Sequence, residues 1–161
     1  MNGSRLETGH MDAETRSAPT VQAREAWRSQ LHRANLRVTK QRLAVLEAIQ
    51  HHPHTVAEDI HGSVRTALPE ITVQSIYTII NALLAAGVIR KLDLPNSPAR
   101  YELEEHDNHH HVVCRCCGRI ENVSCAVGEA PCLQPQAHHG MTIQIAEVIY
   151  QGVCQDCASA A

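Results

Sequence analysis

Apolar residues recur at helical spacing through the first half of the chain, then at strand-like spacing after it. Between Arg24 and Ala34, Trp27, Leu31 and Ala34 share one helical face. Thr39 is placed to cap a second helix that buries Leu43, Val45, Leu46 and Ile49 and ends near His51-His52-Pro53. Thr55-Val-Ala-Glu58 reads as a capping box, opening a third helix with Ile60, Val64 and Leu68 that Pro69 stops. Thr72 caps a fourth, buried through Ile76, Ile79, Ile80, Leu83 and Leu84 and ended by Gly87. Two strand-like runs follow, Val88 to Leu94 and Ala99 to Glu104, with a turn at Pro95-Asn-Ser-Pro98. Residues 1–22 are polar and aperiodic, and read as a disordered tail.

Helices followed by a β-hairpin form the order of a winged helix. The third and fourth helices would make the helix-turn-helix, with the fourth entering the major groove. Its first turns offer Gln74, Ser75, Tyr77 and Thr78 as hydrogen-bonding side chains. Residues 105–161 form a second module with strand candidates at His109 to Cys114, Arg119 to Val123 and Met141 to Tyr150. Pro131 and Pro135 oppose a long helix between Gly128 and Gly140. The expectation is an α+β chain: a winged helix over residues 23–104, then a small α/β domain.

Charge sharpens this division. The net charge of −3 alone argues against nucleic acid as a partner. Its distribution does not, because Arg24, Arg28, Arg33, Arg37, Lys40 and Arg42 face only Glu25, whereas the last third is acidic. A basic stripe beside an acidic, His/Cys-rich half suggests a phosphate-facing module joined to a metal-facing one. Hydrophobic residues make up 43% with no Phe, so the core must be built from Leu, Ile, Val and Ala. There is no apolar run of membrane-spanning length and no export signal, so the seven cysteines are expected in a reducing cytoplasm.

Cys114-x-x-Cys117 and Cys154-x-x-Cys157 are the strongest chemical signal. Four thiolates in two knuckles match the tetrahedral preference of a structural Zn²⁺, which would tie the start of the second module to its end. Buried thiol pairs, disulfides and a redox Cys-x-x-Cys are the competing readings. Directly before the first pair runs His109-His110-His111. In a strand, His109 and His111 point together and His110 points away, so the first two could share an ion such as Fe²⁺, Zn²⁺, Mn²⁺ or Ni²⁺.

Together these segments resemble the ferric-uptake-regulator (Fur) family of bacterial metalloregulators. The resemblance covers about residues 24–157 and rests on Arg37-Val-Thr-Lys-Gln-Arg42, Thr55-Val-Ala-Glu-Asp59, Ser75-Ile-Tyr77, Arg100-Tyr-Glu102 and the two cysteine pairs with the preceding histidines. It implies a homodimeric, metal-dependent repressor of palindromic operator DNA. Cys114, Cys117, Cys154 and Cys157 would hold structural zinc. His54, Glu102, His109 and His111 would hold a regulatory ion between the domains, expected to be Fe²⁺. A further family ligand position is occupied by Asn122, next to Glu121. An additional site in some members would match His110 and Glu129, but Ala146 stands where a histidine is expected. Arg37 matches a basic residue facing the DNA backbone or minor groove, with Lys40 and Arg42 beside it. Tyr77 would touch bases or phosphates.

The segment from Cys125 to Cys132, followed by Glu147-Val-Ile-Tyr150, most resembles actinobacterial Fur-like repressors linked to catalase-peroxidase genes. Cys125 and Cys132 are therefore candidate redox thiols, against a plain reading as small buried residues. A zinc hydrolase would leave the DNA-binding half unexplained and lacks a His-Glu-x-x-His helix. A thiol oxidoreductase would need a single reactive pair. The expected class is thus a non-enzymatic regulator, with an iron-, zinc- or nickel-uptake repressor as the alternative to an oxidative-stress repressor.

Overall fold

The computed structural model describes residues 19–105, 109–124, 139–140, 142 and 148–160. The chain divides after Glu104 into two compact units.

The first unit contains four helices and a hairpin: α1 (Val21–Arg33), α2 (Lys40–His51), α3 (Ala57–Ala67), α4 (Val73–Ala85), β1 (Ile89–Leu92) and β2 (Arg100–Leu103). Helix α1 starts earlier than its apolar face predicts. Thr20 accepts a hydrogen bond from the Ala23 N–H at 3.1 Å, and Val21 points outward where periodicity cannot register it. Thr39 and Thr72 cap α2 and α4 as expected, accepting from the N–H groups of Arg42 (3.2 Å) and Ser75 (3.1 Å). Helix α4 ends at Gly87, whose φ of 62° suits glycine, and Val88 N–H returns to Leu83 O at 3.0 Å.

The capping box at Thr55 does not form. Helix α3 is capped by Val56 with no side-chain bond. Thr55 is instead buried and bridges to Tyr101, whose N–H reaches Thr55 O at 2.9 Å. A backbone committed to the hairpin cannot also start a helix. Glu58, freed from capping, accepts the Tyr77 hydroxyl at 3.0 Å.

Trp27 and Leu31 of α1 join Val45, Leu46 and Ile49 of α2, Ile60 and Val64 of α3, Ile76, Ile80 and Leu83 of α4, and Ile89 and Tyr101 of the hairpin in one core. The hairpin is antiparallel, with Arg90 opposite Glu102 and Leu92 opposite Arg100. Its strands are shorter than the apolar runs, since neither Pro95 nor Pro98 has an N–H for a ladder.

The second unit has β3 (His109–Cys114), β4 (Ile120–Ser124), β5 (Ile149–Gly152) and a short helix α5 (Gln155–Ser159). Strand β3 is central, antiparallel to β4 and parallel to β5, with Cys114 opposite Gly152. The third strand ends at Gly152, not Tyr150 as the sequence suggests; of the expected start, Met141 and residues 143–147 lie outside the described residues, as does the segment 128–138. Helix α5 was not anticipated. At five residues it is too short to show a period. Among the described residues of this unit, few apolar side chains are buried, chiefly Val113 and Cys114.

Candidate functional site

Both cysteine knuckles are built by the β3 register. Cys114 ends β3, its N–H donating to Arg119 O at 2.8 Å. Gly118, at φ 73°, closes the turn with its N–H 2.9 Å from Cys114 O. Pairing of Cys114 with Gly152 carries the chain to Cys154, which caps α5, and one helical turn later Cys157 follows. The sulfurs of Cys114, Cys117, Cys154 and Cys157 all lie within 4.8 Å of one another, and Cys117 Sγ is 3.7 Å from Cys154 Sγ. A tetrahedral Zn²⁺ with bonds of about 2.3 Å sets its sulfurs about 3.8 Å apart, so the donor set fits that ion. All five described cysteines are free thiols, and Cys116 is exposed and outside the cluster.

The thiols do not ionise together. Backbone N–H groups of Cys117, Cys154 and Cys116 hold Cys114 down at about 5. Hydrogen bonding with Cys154 and Cys117 pushes Cys157 up. The Arg119 N–H is the largest influence on Cys117 and lowers it, but Cys114, burial and Cys154 together outweigh it and the net shift is upward. Cys114 is thus favoured as a thiolate, while Cys117 and Cys157 resist losing their protons, as thiols gathered around one point do.

A second cluster of donors lies in the winged-helix unit. Glu102, on β2 and 5% exposed, places Oε2 3.1 Å from His54 Nε2. Its other oxygen is 3.1 Å from Arg90 Nη2, and Arg90 Nε is 3.4 Å from Glu104. His54 sits in the left-handed region at φ 59°, and Arg100 donates to its carbonyl at 3.1 Å. Such a backbone in a non-glycine residue is held by its surroundings at some cost. Arg90 and Arg100 are contacts that sequence reasoning missed; only the hairpin register, which pairs Arg90 with Glu102, could have exposed the first.

In the second unit, His109 and His111 do share a face of β3, with ring centroids 5.1 Å apart. His110 lies on the other face, 6.3 Å from the Tyr150 ring. His111 pairs with Asn122 in the register. Glu121 is exposed and accepts from Arg119 Nε at 2.7 Å. Glu129, Cys125 and Cys132 lie outside the described residues.

On the surface of the helical unit, Gln74, Tyr77 and Thr78 are exposed on the first turns of α4, and Ser75 is half-buried against the Thr72 cap. Arg37 and Lys40 are exposed before and at the start of α2, and Arg42 donates to the Arg37 carbonyl. The basic stripe is partly neutralised: Arg24 pairs with Glu47 at 2.8 Å and Arg28 with Glu25 at 3.4 Å.

A winged helix-turn-helix unit followed by a thiol-rich sheet unit matches the class of metal-responsive transcriptional regulators, which are not enzymes, and the sequence relatives are of that class. The chain belongs to the Ferric uptake regulator family, whose sequence pattern matches residues 33–151. It is 54% identical over 129 residues to the transcriptional regulator FurA of Mycobacterium tuberculosis, covering 80% of this chain and 88% of that one. It is 30% identical over 131 residues to the peroxide-responsive repressor PerR of Staphylococcus aureus, covering 79% and 86%. The fold is that of the Helicobacter pylori ferric uptake regulator Fur (TM-score 0.64, 21% identity, 88% of this chain and 95% of that one). Among the described residues, no helix is long and apolar enough to cross a membrane.

Proposed function

We propose that this chain is a cytoplasmic, homodimeric, metal-dependent repressor whose first unit binds palindromic operator DNA and whose second dimerises. In this reading Cys114, Cys117, Cys154 and Cys157 hold one structural Zn²⁺ per subunit. His54 and Glu102 from the first unit, with His109 and His111 from the second, hold a regulatory ion, Fe²⁺ by preference. An ion held by both units would fix the angle between them, and with it the spacing of the two recognition helices in a dimer. That makes metal a switch of DNA affinity. Arg37, Lys40 and Arg42 serve the phosphates, and Gln74, Ser75, Tyr77 and Thr78 the base edges.

The observation that carries this reading is the buried His54–Glu102 pair, 3.1 Å apart. Imidazole and carboxylate are a donor set for first-row divalent ions. The mixed donor set suits Fe²⁺, Mn²⁺, Zn²⁺ or Ni²⁺. His110, Glu121 and Glu129 are weaker candidates for a further ion, since Glu121 already serves Arg119.

The regulated genes are proposed to be those of oxidative stress, with the ligand set or Cys125 and Cys132 as the oxidant-sensitive element. Likeness to a protein named peroxide-responsive repressor supports this. The alternative, control of metal uptake without oxidant sensing, is supported by the ferric-uptake family match. A DNA-shift titration on the gene's own upstream region decides, comparing Fe²⁺, Mn²⁺, Zn²⁺ and Ni²⁺ with and without peroxide. Metal-dependent binding abolished by His109→Ala plus His111→Ala is expected. Tight binding by metal-free protein, untouched by those changes, refutes the switch. Binding with Fe²⁺ that ignores peroxide favours the uptake reading.

A further inference from the structure

Two large apolar side chains of α4 face outward: Val73 is 42% and Tyr77 36% exposed. They stand four residues apart, on one helical face, while Ile76, Ile80 and Leu83 fill the core. Gln74 and Thr78 flank them. Beside this face lies an acidic residue, Glu58 of α3, whose Oε1 takes the Tyr77 hydroxyl at 3.0 Å. An exposed carboxylate is unfavourable on a surface meant for phosphates, so its place there calls for a specific role. The hydrogen bond supplies one. It is charge-assisted, strong enough to orient an exposed ring, and it occupies the hydroxyl that would otherwise seek a phosphate.

We propose that Glu58 is a positioning residue for sequence reading: it fixes the Tyr77 ring on the face shared with Val73, so that the two form an apolar step that reads thymine methyls. The C5 methyl of thymine is the apolar group that base edges present in the major groove, and an apolar step discriminates it from cytosine and uracil. This rests on the operator-binding reading above. It adds Val73 and Glu58 to the residues that set specificity, and it removes the Tyr77 hydroxyl from the phosphate contacts.

The test uses full-length, zinc-containing protein loaded with Mn²⁺. The probes are a duplex that the wild type enriches from a random pool and a copy with deoxyuridine for thymine. Wild type is expected to bind the uracil duplex roughly fourfold more weakly per contacted methyl. Val73→Ala and Glu58→Ala bring the ratio towards one. Glu58→Gln keeps it, because the amide oxygen still accepts the hydroxyl. Thermal midpoints of the variants, expected near wild type for so exposed a site, separate reading from folding. A Glu58→Ala protein with the wild-type thymine/uracil ratio overturns the proposal, as does a wild type indifferent to the methyl. A wild type that enriches no duplex overturns the operator-binding reading itself, and this proposal with it.

Discussion

Glu102 Oε2 lies 3.1 Å from His54 Nε2, with the two side chains 6% and 10% exposed. The hairpin supplies the acid and the turn after α2 supplies the imidazole. Both are held by protein contacts of their own: Glu102 by Arg90, His54 by the Arg100 contact to its carbonyl. Pre-set donors lose little freedom on binding a metal, which favours affinity.

Glu102→Gln removes the charge while keeping the shape. We expect at least about a tenfold loss of regulatory-metal affinity, with the zinc content unchanged. Stability of the metal-free protein falls by roughly 1–2 kcal/mol, because Arg90 loses a charged partner but keeps some access to water. Metal titration and urea unfolding measure the two effects separately. Unchanged metal affinity would remove Glu102 from the ligand set.

The left-handed backbone at His54 gives a second comparison. His54→Ala and His54→Gly both delete the imidazole, but only glycine relieves the strain. The glycine variant should be the more stable by about 1 kcal/mol, read as a higher urea midpoint. Equal midpoints would mean that the backbone relaxes out of this conformation.

Cys117→Ser should cost the second unit its crosslink. We expect loss of bound zinc, a lower thermal midpoint and loss of the dimer. Because the ligating thiols must shed protons, acidification should also release zinc from the wild type. Zinc analysis with sizing chromatography follows both. A stable, zinc-free dimer of the serine variant contradicts a structural ion.

Helix α3 is left without a side-chain cap at Val56, whereas Thr72 caps α4. Val56→Thr, nearly equal in volume, should stabilise the protein by about 0.5–1 kcal/mol, and Thr72→Ala should destabilise it by about 1 kcal/mol. Denaturant unfolding reads both signs. A neutral Val56→Thr would indicate that the new hydroxyl cannot reach the α3 N–H groups.

Local signals carried far where one element determined its own shape. Thr39 and Thr72 cap, Gly87 ends α4, and the apolar faces of α1 to α4 become one core. Alternation in β3 put His109 and His111 on one face because the strand period is a local property. The reading failed where a residue's partner was distant. Thr55-Val-Ala-Glu58 has the letters of a capping box, yet Thr55 is taken by Tyr101 and Glu58 by Tyr77.

The sequence by itself determined the helix periods, most of the caps and the paired spacing of the cysteines, because each depends on residues a few positions apart. Tertiary structure alone decided that Cys114 and Cys154 meet, through the parallel pairing of β3 with β5. It also decided that Arg90 and His54 flank Glu102, through the hairpin register and the turn packed on it. Strand register and helix crossing are set by the burial of whole faces, and no short stretch of chain encodes them.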